Sequence, residues 1–549
     1  MSGRTLARAG MIVAGAYFVS RILGYVRVVV ITNEFGAGTQ LDAYFAAFRI
    51  PDTLFQLVAA GAFGSSMVPV LAGIFAKGED ERAWRVVSTV INVMLIVLAT
   101  MAVIIAIFAP QIVPIITPGF DAVGTELTVR LTRIMLMSPV LLALAAVASS
   151  SLNVRGRFAA SAIAPSLYNV AIIAGAVVLG PVLGVEGLAV GVVIGSLLHL
   201  GVQIRPLIRE HFHLSLRIDF SDPAVRQILL LMVPRAIGLG ANQIVFMVAT
   251  MLASGVGLGA VTDYNVATTL LQIPLGTISY PMSLVLMPTL SRVVATGTTK
   301  DFSQLLTRSM RLIAWIMLFI TAAGFVLGRQ GVSLLFAGLD PQAAAQTSNA
   351  LAFLLLGLTG HSLVIILSRA FYAGKDTRTP VFTAFTDLAV AVGTGTALVG
   401  SMGLAGIAVG ITAGAWIETT VLAVLLWRRI PGIGVDRFIR PLALFAIGAV
   451  LSAVVMAFTV QLTDPVLGTE HGRLALLVQI LITGAVGGAV YALYSVVLRI
   501  PELSQLISLL RSSFRRGGGG AGGGGSSTPT LAEREDANEL TGGPPGMSE

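Results

Sequence analysis

Residues 87–115 read VSTVINVMLIVLATMAVIIAIFAPQIVPI, with no charged side chain. About 20 apolar residues of α-helix cross a bilayer's hydrocarbon core, so this stretch is long enough to span one. It does not alternate, as the roughly ten-residue strands of a membrane β-barrel would. Thirteen similar runs lie near 8–32, 41–75, 126–152, 158–182, 185–204, 227–253, 259–291, 309–328, 347–370, 379–400, 403–427, 440–462 and 474–498. The pattern predicts an all-α polytopic membrane protein with about 14 transmembrane helices. Many runs hold small residues, as in Gly187-Leu-Ala-Val-Gly191, which suit close helix packing in lipid.

Composition agrees. Of 549 residues only 11% are charged and 55% are hydrophobic, and mean hydropathy is +0.89. Soluble domains average roughly 25% charged residues, so a water-soluble globular protein is excluded. There is no cysteine, which excludes disulfides, thiolate nucleophiles and Cys-ligated metal centres. The first run is too long for a signal peptide, holds Arg21 and Arg27, and lacks a small-residue cleavage site after it. It reads as a retained helix. No phosphate-binding Gly-x-x-x-x-Gly-Lys-Ser/Thr loop and no His-Glu-x-x-His are present. The expectation is a transporter and not an enzyme, with no firm metal site.

The basic residues report topology. With the N-terminus inside, 26 of the 35 Lys and Arg fall on cytoplasmic segments, and the outside loops hold only Arg329 and Arg473. That is the positive-inside bias, and it would be lost if the helix count were wrong by one. Both termini are expected in the cytoplasm. The +8 charge is therefore no argument for nucleic acid. Residues 517–549 hold a glycine run, five acids and one Arg, and their composition predicts a disordered tail. Residues 501–516 read as a cytoplasmic amphipathic helix, with Arg511, Arg515 and Arg516 toward anionic lipid, or simply as a solvated segment.

An internal repeat is visible. Pro69 in Met67-Val-Pro-Val-Leu71 recurs as Pro288, and Gly187-Leu-Ala-Val-Gly191 recurs as Gly406-Ile-Ala-Val-Gly410, both at an offset of 219. The expected organisation is two six-helix lobes in parallel repeat, 1–210 and 211–430. A further helix pair covers 431–500, with a cavity between the lobes.

Charge inside a membrane helix costs about 2.5–3.5 kcal/mol on insertion scales and marks functional candidates. The first run carries Ser20-Arg21-Ile-Leu-Gly24-Tyr-Val-Arg27, in which Arg21, Gly24 and Arg27 share a stripe. Gly24 permits a bend or close approach there. The second run begins with Asp42 and places Arg49 before Pro51, a second candidate hinge; the seventh holds Pro234-Arg235. Arg21, Arg27, Arg49 and Arg235 could line one cationic cavity, since the guanidinium fork donates two hydrogen bonds to a phosphate. The alternatives are that Arg27 snorkels and that Asp42 pairs with an Arg. Asp387 follows Thr383 by four residues, Glu418 adjoins Thr419 and Thr420, and Asn242 precedes Gln243. Oxygen groups of this kind suit Na⁺ or a proton relay, or plain interhelical hydrogen bonds. His361 reads as a core residue.

Ser20-Arg-Ile-Leu-Gly-Tyr-Val-Arg27, Phe35-Gly-Ala-Gly38 and Asp42-Ala-Tyr-Phe-Ala-Ala-Phe-Arg-Ile-Pro51 resemble the lipid II flippases of the MurJ/MviN family. So do Gly61-Ala62-Phe63, Thr117-Pro-Gly-Phe120 and Gln272-Ile-Pro-Leu-Gly276 leading to Met287-Pro-Thr-Leu-Ser291. The resemblance implies the multidrug/oligosaccharidyl-lipid/polysaccharide exporter fold in the bacterial cytoplasmic membrane. It implies that undecaprenyl-pyrophosphate-linked peptidoglycan precursor crosses by alternating access, driven by membrane potential or cations. No cofactor is implied beyond Na⁺ or a proton as coupling ion. The implied partners are membrane lipid and cell-wall synthesis proteins, and a monomer is expected. Ser20, Arg21, Arg27 and Asp42 match the family's functional positions, and Arg49 matches a basic one. The chain departs from the pattern at Phe55, Gln56 and Thr269, where the family often has Arg, and at Ala60, where it often has Glu. Arg235 is a candidate substitute. Competing expectations are a flippase for another polyprenyl-linked oligosaccharide and a drug/cation antiporter of the same fold.

Overall fold

A backbone in lipid must satisfy its own hydrogen bonds, and apolar runs of this length do so as helices. The structure, a computed structural model, describes residues 3–57, 63–430 and 436–508; the side chains of 3–12, 63–65, 233–239, 241–242 and 436–437 fall outside the description. Among the described residues every regular element is helical. In chain order they are α1 (Gly3–Phe35), α2 (Thr39–Phe55), α3 (Phe63–Ala76), α4 (Asp80–Ile116), α5 (Ala122–Met135) and α6 (Met137–Val154). Next come α7 (Phe158–Ala174), which passes through a π turn (Gly175–Leu179) into α8 (Gly180–Leu183), then α9 (Glu186–Arg209) and α10 (Pro223–Ser254). Helix α11 (Ala260–Pro274) passes through a second π turn (Leu275–Ser279) into α12 (Tyr280–Thr296). The rest are α13 (Thr299–Leu335), α14 (Pro341–Leu356), α15 (Leu358–Ala373), α16 (Arg378–Met402), α17 (Leu404–Arg429), α18 (Asp436–Leu467) and α19 (Arg473–Val497).

The protein is a multi-pass membrane protein. Among the described residues, eleven helical spans are long and apolar enough to cross a bilayer, or twelve if the pair α14 and α15, bent by 42°, is one span. The two other expected runs, 41–75 and 227–253, fall on α2 with α3 and on α10. The apolar stretches described within them are Ser66–Ala76, Pro223–Met232 and Gln243–Ser254. Among the described residues, length and apolarity establish eleven or twelve spans, short of the expected 14.

Local chemistry explains the boundaries. The Asp222 carboxylate caps α10 by accepting from the Ala224 N–H, and Thr298 with Asp301 forms a capping box on α13. Pro110 lacks the N–H that Ala106's carbonyl would accept, and Arg133 Nε donates to that carbonyl at 3.0 Å instead.

The repeat has a packing counterpart. A methyl carbon at Gly187 would lie 2.8 Å from the Leu179 backbone, and one at Gly406 2.6 Å from Leu398. One at Gly191 would lie 3.0 Å from the Ala171 carbonyl oxygen, and one at Gly410 2.5 Å from that of Ala391. The same glycines thus bring α9 onto α7 and α17 onto α16, the close approach that small residues allow in lipid.

Buried apolar residues form two clusters. One joins Ile50 and Leu54 of α2 with α3, α4, α6 and the first turns of α10 (Ala224, Val225, Ile228, Met232). The other runs from α1 through α7, α9 and α11 to α17, and includes Ala249 and Ala253 at the far end of α10. Helix α10 therefore begins in one cluster and ends in the other. The linker before it is sewn to α4. Asn92 Nδ2 donates to the Ser215 carbonyl at 2.7 Å, and Arg82 donates to both Asp222 oxygens at 2.8 and 3.0 Å. Those donors hold the Asp222 carboxyl below its ordinary range.

Residues 494–508 belong to a separate unit that contains the end of α19 and a helical segment from 501. The rest of the expected 501–516 helix and the 517–549 tail lie outside the described residues.

Candidate substrate cavity

Three of the four expected arginines converge. Arg21, Gly24 and Arg27 on one stripe of α1, and Arg49 on α2, line a cavity of about 320 Å³ whose opposite wall is α11 and its π turn. That wall is neutral: Asn265, Thr268, Thr269, Gln272 and Gly276. Thr269, one of the family's arginine positions, faces the same space.

Each arginine is held differently. The Arg49 Nη2 donates to Asn265 Oδ1 at 2.7 Å, and its guanidinium lies 4.9 Å from the Phe246 ring centre. Arg21 Nη1 donates to the Gly276 carbonyl, and its guanidinium lies 5.6 Å from the Tyr280 ring centre. That carbonyl sits in the π turn, where the regular helical ladder is interrupted. Arg27 Nε and Arg49 Nε are buried and have no hydrogen-bond partner among the described residues. Unpaired cationic donors in a cavity are costly and suit an anion with several oxygens. Asp52, three residues beyond Arg49, feels the charge of both Arg49 and Arg27; no spacing in the sequence relates it to Arg27, which lies on another helix.

Ser20 is buried, and its carbonyl accepts from Asn169 Nδ2 at 3.2 Å, which ties α1 to α7. Pro51 lies within α2, which continues through it. The side chains of Arg235 and Asn242 lie outside the described residues.

Asp42 is not in the cationic cavity, and it pairs with no arginine. It is 2% exposed. One oxygen accepts from the Gly259 N–H at 2.7 Å; the other accepts from the Thr262 N–H at 2.8 Å and the Thr262 hydroxyl at 2.7 Å. A carboxylate from α2 thus caps the N-terminus of α11, where unpaired N–H groups and the helix dipole favour negative charge. Gly259 makes this approach possible, since its φ of +83° suits glycine. Beside this cap, Asn33 donates to the Leu335 carbonyl at 3.0 Å and accepts from the Gly338 N–H at 2.9 Å. Together they tie α1 to the end of α13 and the loop after it, and α2 to the start of α11. No sequence signal marks Asn33, because an amide in a membrane helix has many ordinary uses.

The expected cation residues separate into two contacts. The Thr383 hydroxyl donates to Glu418 at 3.2 Å and to the Pro380 carbonyl at 3.0 Å. Asp387 lies against Gly414 of α17, where a side chain would collide with its carboxylate. Asp387 and Glu418 are close enough for their charges to interact. Among the described residues no group of three or more His, Cys, Asp or Glu could hold a metal ion.

The chain is similar to known proteins over most of its length. The family model "Lipid II flippase MurJ" matches residues 31–475. A probable lipid II flippase MurJ of Rhizobium tropici is 29% identical over 494 residues, covering 87% of this chain and 92% of that protein. A lipid II flippase MurJ of Burkholderia cenocepacia is 32% identical, covering 77% of this chain and 84% of that protein. A solved structure described as lipid II flippase MurJ in an inward closed conformation matches with a TM-score of 0.74 at 23% identity, covering 89% of this chain and 98% of that one. An inward-facing multidrug resistance MATE family transporter of the MOP superfamily matches with a TM-score of 0.66 at 16% identity, covering 75% and 95%. Those two likenesses concern the fold. On the match over residues 31–475, the chain belongs to the lipid II flippase MurJ family.

Proposed function

We propose that this protein carries lipid II, the undecaprenyl-pyrophosphate-linked peptidoglycan precursor, across the bacterial cytoplasmic membrane. One observation carries the reading: Arg27 and Arg49 meet in a cavity between α1, α2 and α11, each with a buried donor left without a partner. The pyrophosphate takes those donors, with Arg21 nearby, while the polyprenyl chain stays in lipid. The residues at Phe55, Gln56 and Thr269 are not cationic, so Arg21, Arg27 and Arg49 carry the cavity's charge, with Arg235 as the candidate substitute.

The two halves, 1–210 and 211–430, act as lobes, with 431–500 as an added helix pair. With both termini in the cytoplasm, α1 runs outward, the Asp42 and Asn33 contacts form the outer closure, and the cavity opens inward. Rocking of the lobes has to break the Asp42 cap on α11, and α10, anchored in both apolar clusters, bends or straightens as they move. Membrane potential is worth about 2.3 kcal/mol per charge per 100 mV, and it drives the unloaded cationic cavity inward. Asp387 and Glu418 are the candidate site for a coupling Na⁺ or proton. We expect a monomer that works with cell-wall synthesis proteins, without a cofactor and without chemistry of its own.

The test is translocation of labelled lipid II in liposomes, together with rescue of a strain depleted of its flippase. Wild type should succeed in both, and a folded Arg27→Ala variant should fail in both. A folded Arg27→Ala protein that transports normally would overturn the anionic-cavity reading. Transport of a different polyprenyl-linked glycan but not lipid II would overturn the substrate.

A further inference from the structure

The cavity is longer than a pyrophosphate, and its two ends have different chemistry. Arg21 and Arg27 are six residues apart on one helix, which separates them by about 9 Å along the axis. At the deep end, Arg27 and Arg49 keep buried Nε donors without partners. At the other end Arg21 is already engaged by the Gly276 carbonyl and the Tyr280 ring. Around it stand Tyr25, Gln272 and Tyr280. The Tyr25 hydroxyl donates to the Gln272 carbonyl at 3.1 Å, the Gln272 side chain is exposed, and the Tyr280 ring is 44% exposed. A methyl carbon at Gly276 would lie 2.8 Å from both Arg21 Nη1 and the Tyr25 hydroxyl. The space is therefore kept clear by a residue without a side chain.

An exposed aromatic face beside hydroxyl, amide and guanidinium groups offers what a sugar ring needs: an apolar platform and several hydrogen-bond partners. In a polyprenyl-pyrophosphate-linked glycan, the group joined to the pyrophosphate is a sugar. We propose that the Tyr280 end of the cavity is a glycan subsite. The first sugar stacks on Tyr280 and hydrogen-bonds to Tyr25 and Gln272, while the pyrophosphate sits on Arg27 and Arg49. Arg21 is a positioning residue that holds the Tyr280 ring and the π turn in place. This subsite rests on the cationic-cavity reading above and gives it a selectivity for what the lipid carries.

The experiment compares two ligands in nanodiscs: undecaprenyl pyrophosphate, and the same lipid bearing the disaccharide-peptide. Wild type should bind the glycan-bearing lipid more tightly. Tyr280→Ala should cut that preference about tenfold and leave affinity for undecaprenyl pyrophosphate unchanged. Tyr280→Phe should retain the preference, because the ring remains. Tyr25→Phe should lose part of it. Arg27→Ala should weaken both lipids together. The proposal is overturned if Tyr280→Ala weakens both lipids equally or neither. If wild type binds neither lipid and Arg27→Ala changes nothing, the cationic-cavity reading itself fails.

Discussion

Two regions of this protein 219 residues apart make matching glycine contacts and differ in charge. In the first half Gly195 of α9 makes room for Tyr168 of α7, with His199 one turn on; its ring lies 6.5 Å from that of Tyr168. At the positions 219 residues further, Gly414 makes room for Asp387, with Glu418 one turn on. At the helix ends, Arg157 meets Glu210 at 2.7 Å in the first half, while Asp376 meets Arg429 in the second, with the signs reversed. The glycine contacts are constrained by backbone approach and survive in both copies. The side chains beside them are not so constrained and have parted. The first half supplies the cavity's cations, Arg21, Arg27 and Arg49, whereas the second supplies a neutral wall and a carboxylate pair.

The largest expected effect tests whether the cations must come from the first half. Arg49→Ala removes a charged donor held by Asn265, worth about 1.5–3 kcal/mol, and should weaken lipid II binding about 10- to 100-fold. Adding Thr269→Arg returns a cation from the opposite wall, and the double variant should recover at least part of that loss. No recovery would mean that position, and not charge alone, decides binding. Next in size is the carboxylate pair. If it couples transport to an ion, Asp387→Asn should remove the dependence of lipid II translocation in liposomes on Na⁺ or on a pH gradient. His199→Gln, at the first half's counterpart of Glu418, should preserve that dependence. An unchanged ion response in Asp387→Asn would leave the second half's carboxylates with a purely structural role.

A smaller effect compares the equivalent glycines. A new methyl at Gly410 meets the Ala391 oxygen at 2.5 Å, and one at Gly191 meets the Ala171 oxygen at 3.0 Å. Gly410→Ala should cost about 1–3 kcal/mol as overpacking, and Gly191→Ala less. Thermal unfolding of the two purified variants orders them; equal losses would mean that the helices simply move apart.

Much of this was legible in the sequence, for physical reasons that also mark the limits. Lipid demands long apolar runs, so most of the helices could be read from length alone. Membrane charge is costly, so Arg21, Arg27 and Arg49 stood out and do share a cavity. Asp42 stood out for the same reason, yet its partner is the N-terminus of α11, a helix end more than 200 residues away that no spacing reveals. Asn265, Gln272, Tyr25 and Tyr280 carry no charge, and neutral polar groups in membrane helices have too many ordinary roles to be singled out. The four-residue spacing puts Thr383 and Asp387 on one face, and both meet α17, but that Thr383 bonds to Glu418 there is set by tertiary packing that no spacing reveals.

The smallest effects concern the reversed ion pairs. If these pairs only fasten a loop to a helix end, polarity is arbitrary. Asp376→Arg or Arg429→Asp alone should lower stability by about 0.2–1 kcal/mol, the range of partly exposed pairs, and the two together should restore it. The same inversion in the first half should not be restored. Glu210 also accepts from Arg155 at 2.9 Å, and Arg155 would then face the new cation, whereas the second half has Gly374 at the equivalent position. Acid titration checks the same point. Hydrogen bonds from Arg157 chiefly, and from Arg155, hold the Glu210 carboxyl below its ordinary range against a smaller effect of burial. At Asp376 burial pushes upward, and Thr379 and Arg429 more than offset it. A carboxyl lowered in the folded state stabilises above its unfolded pKa, about 4, and that contribution fades as pH falls through the folded value. Tm should therefore drop below about pH 4 in the wild type. Asp376→Asn should flatten that drop more than Glu210→Gln, because Thr379 and Arg429 together hold Asp376 further below its ordinary range than Arg157 and Arg155 hold Glu210. Equal flattening would mean that the two pairs respond alike to acid despite their different partners.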